Sequence, residues 1–231
     1  MRNATIRTLL ACGILSPLFY ASIDAIGGTR WQHYSWISEE FSRLSAIGAP
    51  SRPVLLMLNP FFTVLVVAFG LGVWWAAGQR RALRVIGGAL VVWAAVNFAW
   101  PQFFPEDLSA SVSAFTNTMH IVITGVTVAS WMLMLALGAF AFGRWFRLYS
   151  ISEVGILLVF DGVLAGSQAS ALAAGQPTPW LGLVERVGIY SFYLWMVGLA
   201  LVLLHAHCDR ASIDDVPRRD LARPNQAGEG R

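Results

Sequence analysis

The chain has 231 residues, of which 56% are hydrophobic and 13% are charged, and its mean hydropathy is +0.60. The charged fraction is about half of the roughly 25% found in soluble domains, so too few polar residues remain to coat a water-soluble fold of this size. The net charge of +3 is small and dispersed along the chain, which argues against nucleic acid as a partner. The composition therefore indicates an integral membrane protein.

Six stretches are long and apolar enough to cross a bilayer, which takes roughly 20 largely apolar residues. A spanning backbone must satisfy its own hydrogen bonds, so each stretch predicts a helix. We predict an all-α bundle of six transmembrane helices within residues 1–207, followed by a polar, disordered cytoplasmic tail at 208–231. The predicted spans are residues 6–26, 54–77, 83–101, 117–143, 148–171 and 184–206.

The first span has some features of a secretory signal peptide, because arginines precede an apolar run that ends in small residues. Ser16, Pro17 and Asp24 interrupt that run, so we expect the segment to be retained as a helix. Cys12 lies in this span and Cys208 begins the tail. Neither position is oxidising, and no structural disulfide is expected.

Arginines are distributed unevenly between the two ends of the predicted bundle. If the N-terminus is cytoplasmic, the cytoplasmic segments carry twelve of the sixteen arginines, and the external segments carry Arg30, Arg43, Arg52 and Arg186. Basic residues are retained on the cytoplasmic side. We therefore predict a multi-pass protein of the cell (inner or plasma) membrane with both termini cytoplasmic, in which residues 30–51, named loop one, are external.

The segment "SEEFSRLSAIGAPSRP" at 38–53 is charged, unlike the apolar stretches on either side. Apolar residues recur at helical spacing along it and just before it: Ile37, Phe41 and Leu44. Glu39 and Glu40 fall on the other face beside Arg43, where opposite charges three or four residues apart support a helix by roughly 0.2–0.5 kcal/mol. We predict a short amphipathic helix at 36–47 in the outer interface of the membrane.

This helix either connects two spans or forms a lid over a site. A connector would turn its acidic face toward water, whereas a lid would bring Glu39 or Glu40 close to His120 or Arg186. We favour the lid, because polar side chains concentrate in the outer halves of five predicted spans while the inner halves are nearly all apolar.

Polar residues inside a bilayer are costly and usually face the bundle interior or a cavity. Their placement predicts a polar pocket that opens to the outside and is roofed by loop one and by residues 101–113. The candidate pocket residues are Asp24, Glu39, Glu40, Asn97, Asp107, His120, Asp161, Gln168, Glu185, Arg186 and Tyr190.

The fifth span carries the costliest of these residues. A carboxylate in the middle of a spanning helix costs about 2.5–3.5 kcal/mol on insertion scales, so Asp161 must be protonated or paired, and Arg186 is one partner to consider. Gly162 and Gly166 beside it form a small-xxx-small pair, which is typical of close helix packing. The tetrapeptide "SISE" at 150–153 matches a capping box, which would mark the start of this helix.

Short motifs follow one another in a specific order: "GILSPLFY" in the first span, the loop-one sequence "SEEFSRLSAIGAPSRP", "NP" in the second span, "FFPED" after the third, His120 in the fourth and "ER" in the sixth. On these motifs the chain resembles the family of prokaryotic six-helix membrane proteins catalogued as domain of unknown function 998, up to about residue 207. The resemblance implies the six-helix fold. It implies no activity, cofactor or catalytic residue.

Three functions are compatible with these features. The first is binding or handling of a lipid head group or small amphiphile, with membrane lipids as partners and a homo-oligomer left open. The second is an intramembrane enzyme that uses carboxylates and His120 on a lipid-linked substrate. The third is a structural or assembly role. We expect no metal and no cofactor, because the sequence has no nucleophile motif, no recognised spacing of metal ligands and no cofactor loop.

The arginine distribution makes a prediction about orientation. A reporter fused after Gly48 should behave as external, and reporters fused after Gln79 or Arg144 should behave as cytoplasmic, because the arginine-rich turns hold those ends inside. Paired alkaline phosphatase and fluorescent protein fusions measure this. A cytoplasmic signal at Gly48 would reverse the orientation.

Overall fold

The computed structural model describes residues 2–109, 115–174 and 176–214, and within these ranges the fold is helical. The α-helices are α1 Arg2–Thr29, α2 Arg52–Ala76, α3 Arg81–Phe103, α4 Phe115–Ala141, α5 Arg144–Leu157, α6 Ala165–Ala173 and α7 Leu181–Asp214. A 3₁₀ helix at Phe41–Ser45 lies in loop one, and a π-helix at Leu158–Leu164 joins α5 to α6.

The predicted six-span architecture is confirmed, since the described part of the chain has six helices long and apolar enough to cross a membrane. The fifth span, Arg144–Gln168, combines α5, the π-helix and the start of α6. Helix α7 continues to Asp214, past Cys208, where we placed the start of the tail. Three parts of the predicted chain lie outside the described residues: 110–114, which include the end of the predicted roof segment 101–113, residue 175, and 215–231 of the tail.

Two predicted helix ends were wrong. Helix α3 continues past Pro101 to Phe103, because a proline in the last turn removes one hydrogen bond while later amides still find carbonyls; the Phe104 N–H donates to the Trp100 carbonyl at 2.8 Å. Helix α5 begins at Arg144, so residues 150–153 lie inside it and form no capping box.

The interior of α5 instead uses these two polar residues to contact α7. The Ser150 hydroxyl accepts a hydrogen bond from Nε1 of Trp195 at 2.9 Å. Glu153 is only 4% exposed and lies within hydrogen-bonding reach of the Ser191 hydroxyl. A Ser and a Glu three residues apart match a capping box and a polar helix contact equally well, and only the packing of α5 against α7 separates the two.

Aromatic side chains form the centre of the bundle. Trp131 of α4 stacks on Phe192 of α7, with ring centroids 4.5 Å apart and planes 10° apart. Trp93 of α3 meets the edge of Phe192 at 5.7 Å, and Phe62 of α2 lies 5.9 Å from Tyr193. Large buried rings contribute most to packing energy, so this cluster joins four of the spans.

Loop one folds back over its end of the bundle, which we call the loop-one end. Ile47 pairs with the segment after α3, where its N–H donates to the Glu106 carbonyl at 2.7 Å. Helix α4, which begins at this end, packs mainly against α3 and α5, and its first half is largely exposed.

The predicted helix at 36–47 is present only as the 3₁₀ turn Phe41–Ser45. Phe41 and Leu44 pack inward as expected, but Ile37 is 49% exposed and lies on the outer side. The carbonyls of Trp36, Ile37 and Glu39 accept hydrogen bonds from α7, so they are not available for helical bonds within loop one.

Helices α2 and α3 approach each other closely at Gly70 and Gly87. A Cβ added at Gly87 would lie 2.7 Å from the Gly70 carbonyl oxygen and 2.7 Å from the Trp74 nitrogen. Real Cβ atoms do not come this close to main-chain atoms, so a side chain here would force the two helices apart.

We predict that Gly87→Ala destabilises the protein by roughly 1–3 kcal/mol, the usual cost of overpacking. Gly155→Ala is the matched control, because a Cβ there meets nothing within 4 Å and removing a helical glycine stabilises by roughly 0.5–1 kcal/mol. Equilibrium unfolding in mixed micelles measures both. Equal effects of the two substitutions would contradict this account of the α2–α3 contact.

Candidate functional site

A buried ion pair joins α1 to α7 at the loop-one end. Arg186 donates from Nε and Nη2 to the two carboxylate oxygens of Asp24, both at 2.9 Å. The side chains are nearly inaccessible, since Arg186 is 7% exposed and Asp24 is 4% exposed. The Tyr190 hydroxyl adds a hydrogen bond to Oδ2 of Asp24 at 3.0 Å. Two parallel charge-assisted bonds make this the strongest geometry for such a pair.

The remaining donors of Arg186 hold loop one. Nη1 donates to the carbonyls of Trp36 at 3.0 Å, Glu39 at 2.9 Å and Gly182 at 3.2 Å. Nη2 also donates to the Tyr34 hydroxyl at 2.7 Å. The guanidinium therefore has acceptors for all of its N–H groups, which is the condition for burying a charge without a large penalty.

Loop one reaches Arg186 because α7 offers a glycine at the contact. A Cβ at Gly182 would collide with the main chain of Glu39. The N–H of Leu183, in the first turn of α7, donates to the Ile37 carbonyl at 2.9 Å. Loop one thus lies on α7 and satisfies a first-turn amide that has no partner within the helix. The expected proximity of Glu39 to Arg186 is present, but through the carbonyl rather than the carboxylate.

The side chains of the loop-one acids have other partners. Glu39 lies 3.6 Å from Arg43 and accepts the Ser35 N–H at 2.9 Å. Burial raises the pKa of Glu40, and the charge of Arg43 opposes that shift. Burial, together with the nearby charge of Glu40, also raises the pKa of Glu106 to about 7. Glu106 lies 4.0 Å from Arg43, so a small carboxyl cluster around one arginine connects loop one to the segment after α3.

The expectation that Arg186 pairs with Asp161 was wrong. Asp161 packs against α7 at Gly188, where an added Cβ would collide with its carboxyl group. Residues two apart on a helix point to different sides, so a group seated on Gly188 does not share a face with Arg186. Asp24 lies at the same depth as Arg186 and takes the partner role.

A cavity of about 970 Å³, including its open mouth, lies beneath loop one. Its polar groups include two carboxyls, Asp161 and Glu185, and two amides, Asn59 and Asn97. Its aromatic lining comprises Tyr20, Phe41, Phe62, Trp100, Trp131 and Tyr193, so the aromatic centre of the bundle forms its floor. No basic residue is among the described residues that line it.

Each carboxyl of the cavity is positioned by a distinct local feature. Asp161 lies in the π-helix, whose wider turn breaks the α-helical register and often occurs at functional sites. Its Oδ2 atom is buried and accepts no hydrogen bond from the described residues. Glu185 accepts the Phe41 N–H from loop one at 2.5 Å, so one wall of the cavity is tied to its roof.

The cavity reaches the surface beside α4. Thr124 of α4 lines the cavity and is exposed. A Cβ added at Gly125 on α4, or at Gly162 or Gly166 on the fifth span, would meet no atom within 4 Å. The expected close helix packing at Gly162 and Gly166 is therefore wrong within the described residues, and both glycines face open space.

The predicted pocket residues separate into three groups. Asn97, Asp161 and Glu185 line the cavity. Asp24, Arg186 and Tyr190 form the ion-pair cluster next to it, while Glu39 and Glu40 belong to its roof. The remaining three, Asp107, His120 and Gln168, are not among the described lining residues.

These three outlying residues have their own contacts. The Asp107 N–H donates to the Asn117 side chain at 2.7 Å. His120 packs on Trp100 with ring centroids 4.3 Å apart and donates to the Phe104 main chain. Gln168 lies 3.5 Å from the Trp180 N–H. In the described part of the chain, no three His, Cys, Asp or Glu side chains are grouped so as to hold a metal ion.

Sequence reasoning left Tyr34 and Glu106 out of the candidate site, and it assigned Glu153 to a capping box. Tyr34 holds Arg186 and also donates to the Glu40 carbonyl at 2.8 Å. Glu106 belongs to the carboxyl cluster, and Glu153 is buried between α5 and α7. Tyr34 lies in a loop rich in aromatics, which gives no sign of its partner. The buried Glu153 shows a recognisable signal, a carboxylate within an apolar span.

A family model described as "Protein of unknown function (DUF998)" matches residues 14–202. The chain belongs to this family. The match confirms the resemblance drawn from the order of the short motifs, and it covers both the cavity and the ion pair of this DUF998 protein. No curated protein and no solved structure matches the chain.

For this DUF998 chain we predict strong coupling between Asp24 and Arg186. Asp24→Ala should destabilise by roughly 3–5 kcal/mol, because it leaves a buried cation without its counter-charge. The double variant Asp24→Ala, Arg186→Ala should lose far less stability than the sum of the losses in the two single variants. A double-mutant cycle of unfolding free energies measures this.

The matched control is the cycle between Asp161→Ala and Arg186→Ala. Because Asp161 packs on Gly188 and not on Arg186, its losses should add to those of Arg186→Ala within about 0.5 kcal/mol. Coupling between Asp161 and Arg186, together with additive losses for Asp24 and Arg186, would show that Arg186 pairs with Asp161 and not with Asp24.

The raised pKa of Glu106 predicts that acid stabilises the attachment of loop one. An unfolded Glu titrates near about 4.3, so the contribution of Glu106 is fully present below that pH and is lost as pH rises through about 7. The thermal midpoint should therefore fall between pH 5.5 and pH 8.5, by less in Glu106→Gln than in the natural chain. The same fall in both proteins would show that Glu106 has no part in it.

Proposed function

We propose that this multi-pass membrane protein binds an amphiphile, a membrane lipid or lipid-like molecule, in the cavity beneath loop one. The polar head would lie among Asn59, Asn97, Asp161 and Glu185, and the tail would leave through the opening beside Thr124. The observation that carries the proposal is this combination of a polar lining with a lipid-facing mouth.

The walls of the cavity support this proposal. Ligand pockets combine an apolar and aromatic lining with a few placed polar groups, and six aromatic side chains with two carboxyls and two amides line this cavity. Loop one is held by hydrogen bonds to α7 and by Glu185, so the roof is anchored. The first half of α4 is largely exposed, which would allow a ligand to enter the cavity from the lipid side.

The arginine distribution supports a proposal for the membrane and the orientation of the protein. We place the protein in the cell membrane with both termini cytoplasmic, so that loop one and the cavity face outward. The amphiphile would then come from the outer leaflet.

The enzymatic alternative is less well supported. It needs His120 beside a carboxyl in one site, since acid–base catalysis requires hydrogen-bonding reach. His120 packs on Trp100 instead, and it is not among the described residues that line the cavity. No observation favours the assembly alternative specifically.

Native mass spectrometry of gently extracted protein tests the proposal. We expect co-purified lipid on the natural chain and a loss of about tenfold or more on Thr127→Trp, because Thr127 lines the cavity and an indole there would fill it. Val126→Trp is the matched control, since Val126 is 53% exposed on the same helix and is not among the lining residues.

Both tryptophan variants should unfold at temperatures similar to that of the natural chain, which separates loss of binding from loss of fold. Equal lipid retention by Thr127→Trp and Val126→Trp would show that the lipid binds elsewhere on the protein surface. Absence of retained lipid from the natural chain, in extraction conditions that keep it folded, would overturn the proposal.

A further inference from the structure

We infer that the head group recognised by this cavity is positively charged, an amine or a quaternary ammonium; the inference rests on the proposed function and names its ligand class. It follows from the charge balance of the lining, from its aromatic walls and from the way Arg186 is already used.

The charge balance excludes an anionic head. The described lining has two carboxyls and no basic residue. Arg186 lies nearby, but its donors are committed to Asp24, Tyr34 and main-chain carbonyls. A phosphate, sulfate or carboxylate entering the cavity would therefore find no guanidinium donor and no basic side chain among the described lining residues.

Other arginines at the loop-one end are also engaged. Arg52 donates to the carbonyls of Ser45 and Pro101, and Arg43 lies beside Glu39 and Glu106. Neither belongs to the described lining. The electrostatic preference of the cavity is thus set by Asp161 and Glu185.

The carboxyl groups leave acceptor capacity for a ligand. Oδ2 of Asp161 accepts no hydrogen bond from the described residues, although it is buried. Glu185 uses one oxygen for the Phe41 N–H. A buried carboxylate without a partner is costly, and an ammonium group in the cavity would supply the counter-charge that no described lining residue provides.

Aromatic faces suit the same kind of head group. Six aromatic residues line the cavity: Tyr20, Phe41, Phe62, Trp100, Trp131 and Tyr193. A cation over an aromatic face gains roughly 0.5–2 kcal/mol, and quaternary ammonium ligands are commonly recognised by such walls together with acidic groups. A neutral polyol head could bind the amides of Asn59 and Asn97, but it would gain no cation–π contact with the aromatic walls.

The test uses the full-length protein in maltoside micelles, which carry no ammonium group, and follows the fluorescence of the tryptophans that line the cavity. The probes share one chain length: octyltrimethylammonium, octyl sulfate and octanol. We expect octyltrimethylammonium to bind about tenfold or more tightly than either other probe, as one lost charge contact of about 1.4 kcal/mol would predict.

Isosteric variants assign the effect to the cavity. Asp161→Asn should weaken octyltrimethylammonium about tenfold and leave octanol unchanged. Glu153→Gln is the matched control, because it removes a buried carboxyl from the same span outside the described lining, and it should bind as the natural chain does. If Asp161→Asn does not fold, Glu185→Gln makes the same measurement from α7.

The outcomes separate the inference from the proposed function. Equal binding of all three octyl probes, abolished by Thr127→Trp, would keep the amphiphile site and overturn the cationic head. Failure of every probe to bind in a Thr127-dependent way would overturn the proposed function itself. Tetramethylammonium distinguishes the source of the head group: binding as tight as that of the octyl compound would identify a soluble amine and overturn the lipid-like ligand.

Discussion

The buried guanidinium of Arg186 sets the architecture of the loop-one end. A charge in this position is tolerable only if every donor has an acceptor, and the structure provides them from three places: Asp24 on α1, Tyr34 in loop one, and main-chain carbonyls of loop one and α7. This requirement explains why residues 36–39 are not helical. The carbonyls of Trp36 and Glu39 accept hydrogen bonds from Arg186, and the Ile37 carbonyl accepts one from the first turn of α7, so loop one is held against α7.

The same saturation bears on the head group that we propose for the cavity. Because Asp24 neutralises Arg186, the carboxyls of Asp161 and Glu185 have no cation among the described lining residues. Gly188 allows Asp161 to approach α7, and the π-helix sets its position along the span. A local departure from regular helix at a costly carboxyl is the pattern expected where function overrides stability. The donors of the ion pair are therefore fully used, whereas the carboxyls of the cavity have no cationic partner among the described lining residues.

The bundle also differs in packing from one side to the other. Closely packed rings of α3, α4 and α7 form a tight floor, with Trp131 stacked on Phe192 at 4.5 Å. In contrast, the first half of α4 is exposed and glycines on the fifth span face open space. A well-packed floor beneath a loosely packed side wall fits a site that exchanges a ligand with the membrane. Motions needed for exchange come from the less stable parts of a fold.

The sequence by itself determined the class and the number of spans, because the length and hydropathy of each span are local properties imposed by the bilayer. It also indicated that polar residues gather at one end, and three of them, Asn97, Asp161 and Glu185, do line one cavity. Only the tertiary structure decided which acid meets Arg186, since Asp24 and Asp161 are both carboxyls within apolar spans. Pairing depends on depth and on helix face across more than 100 residues of chain, as the Asp24–Arg186 bond shows. The prediction of a short helix in loop one was wrong for the same reason. The local sequence pattern favoured a helix, but carbonyls of loop one accept hydrogen bonds from α7 instead.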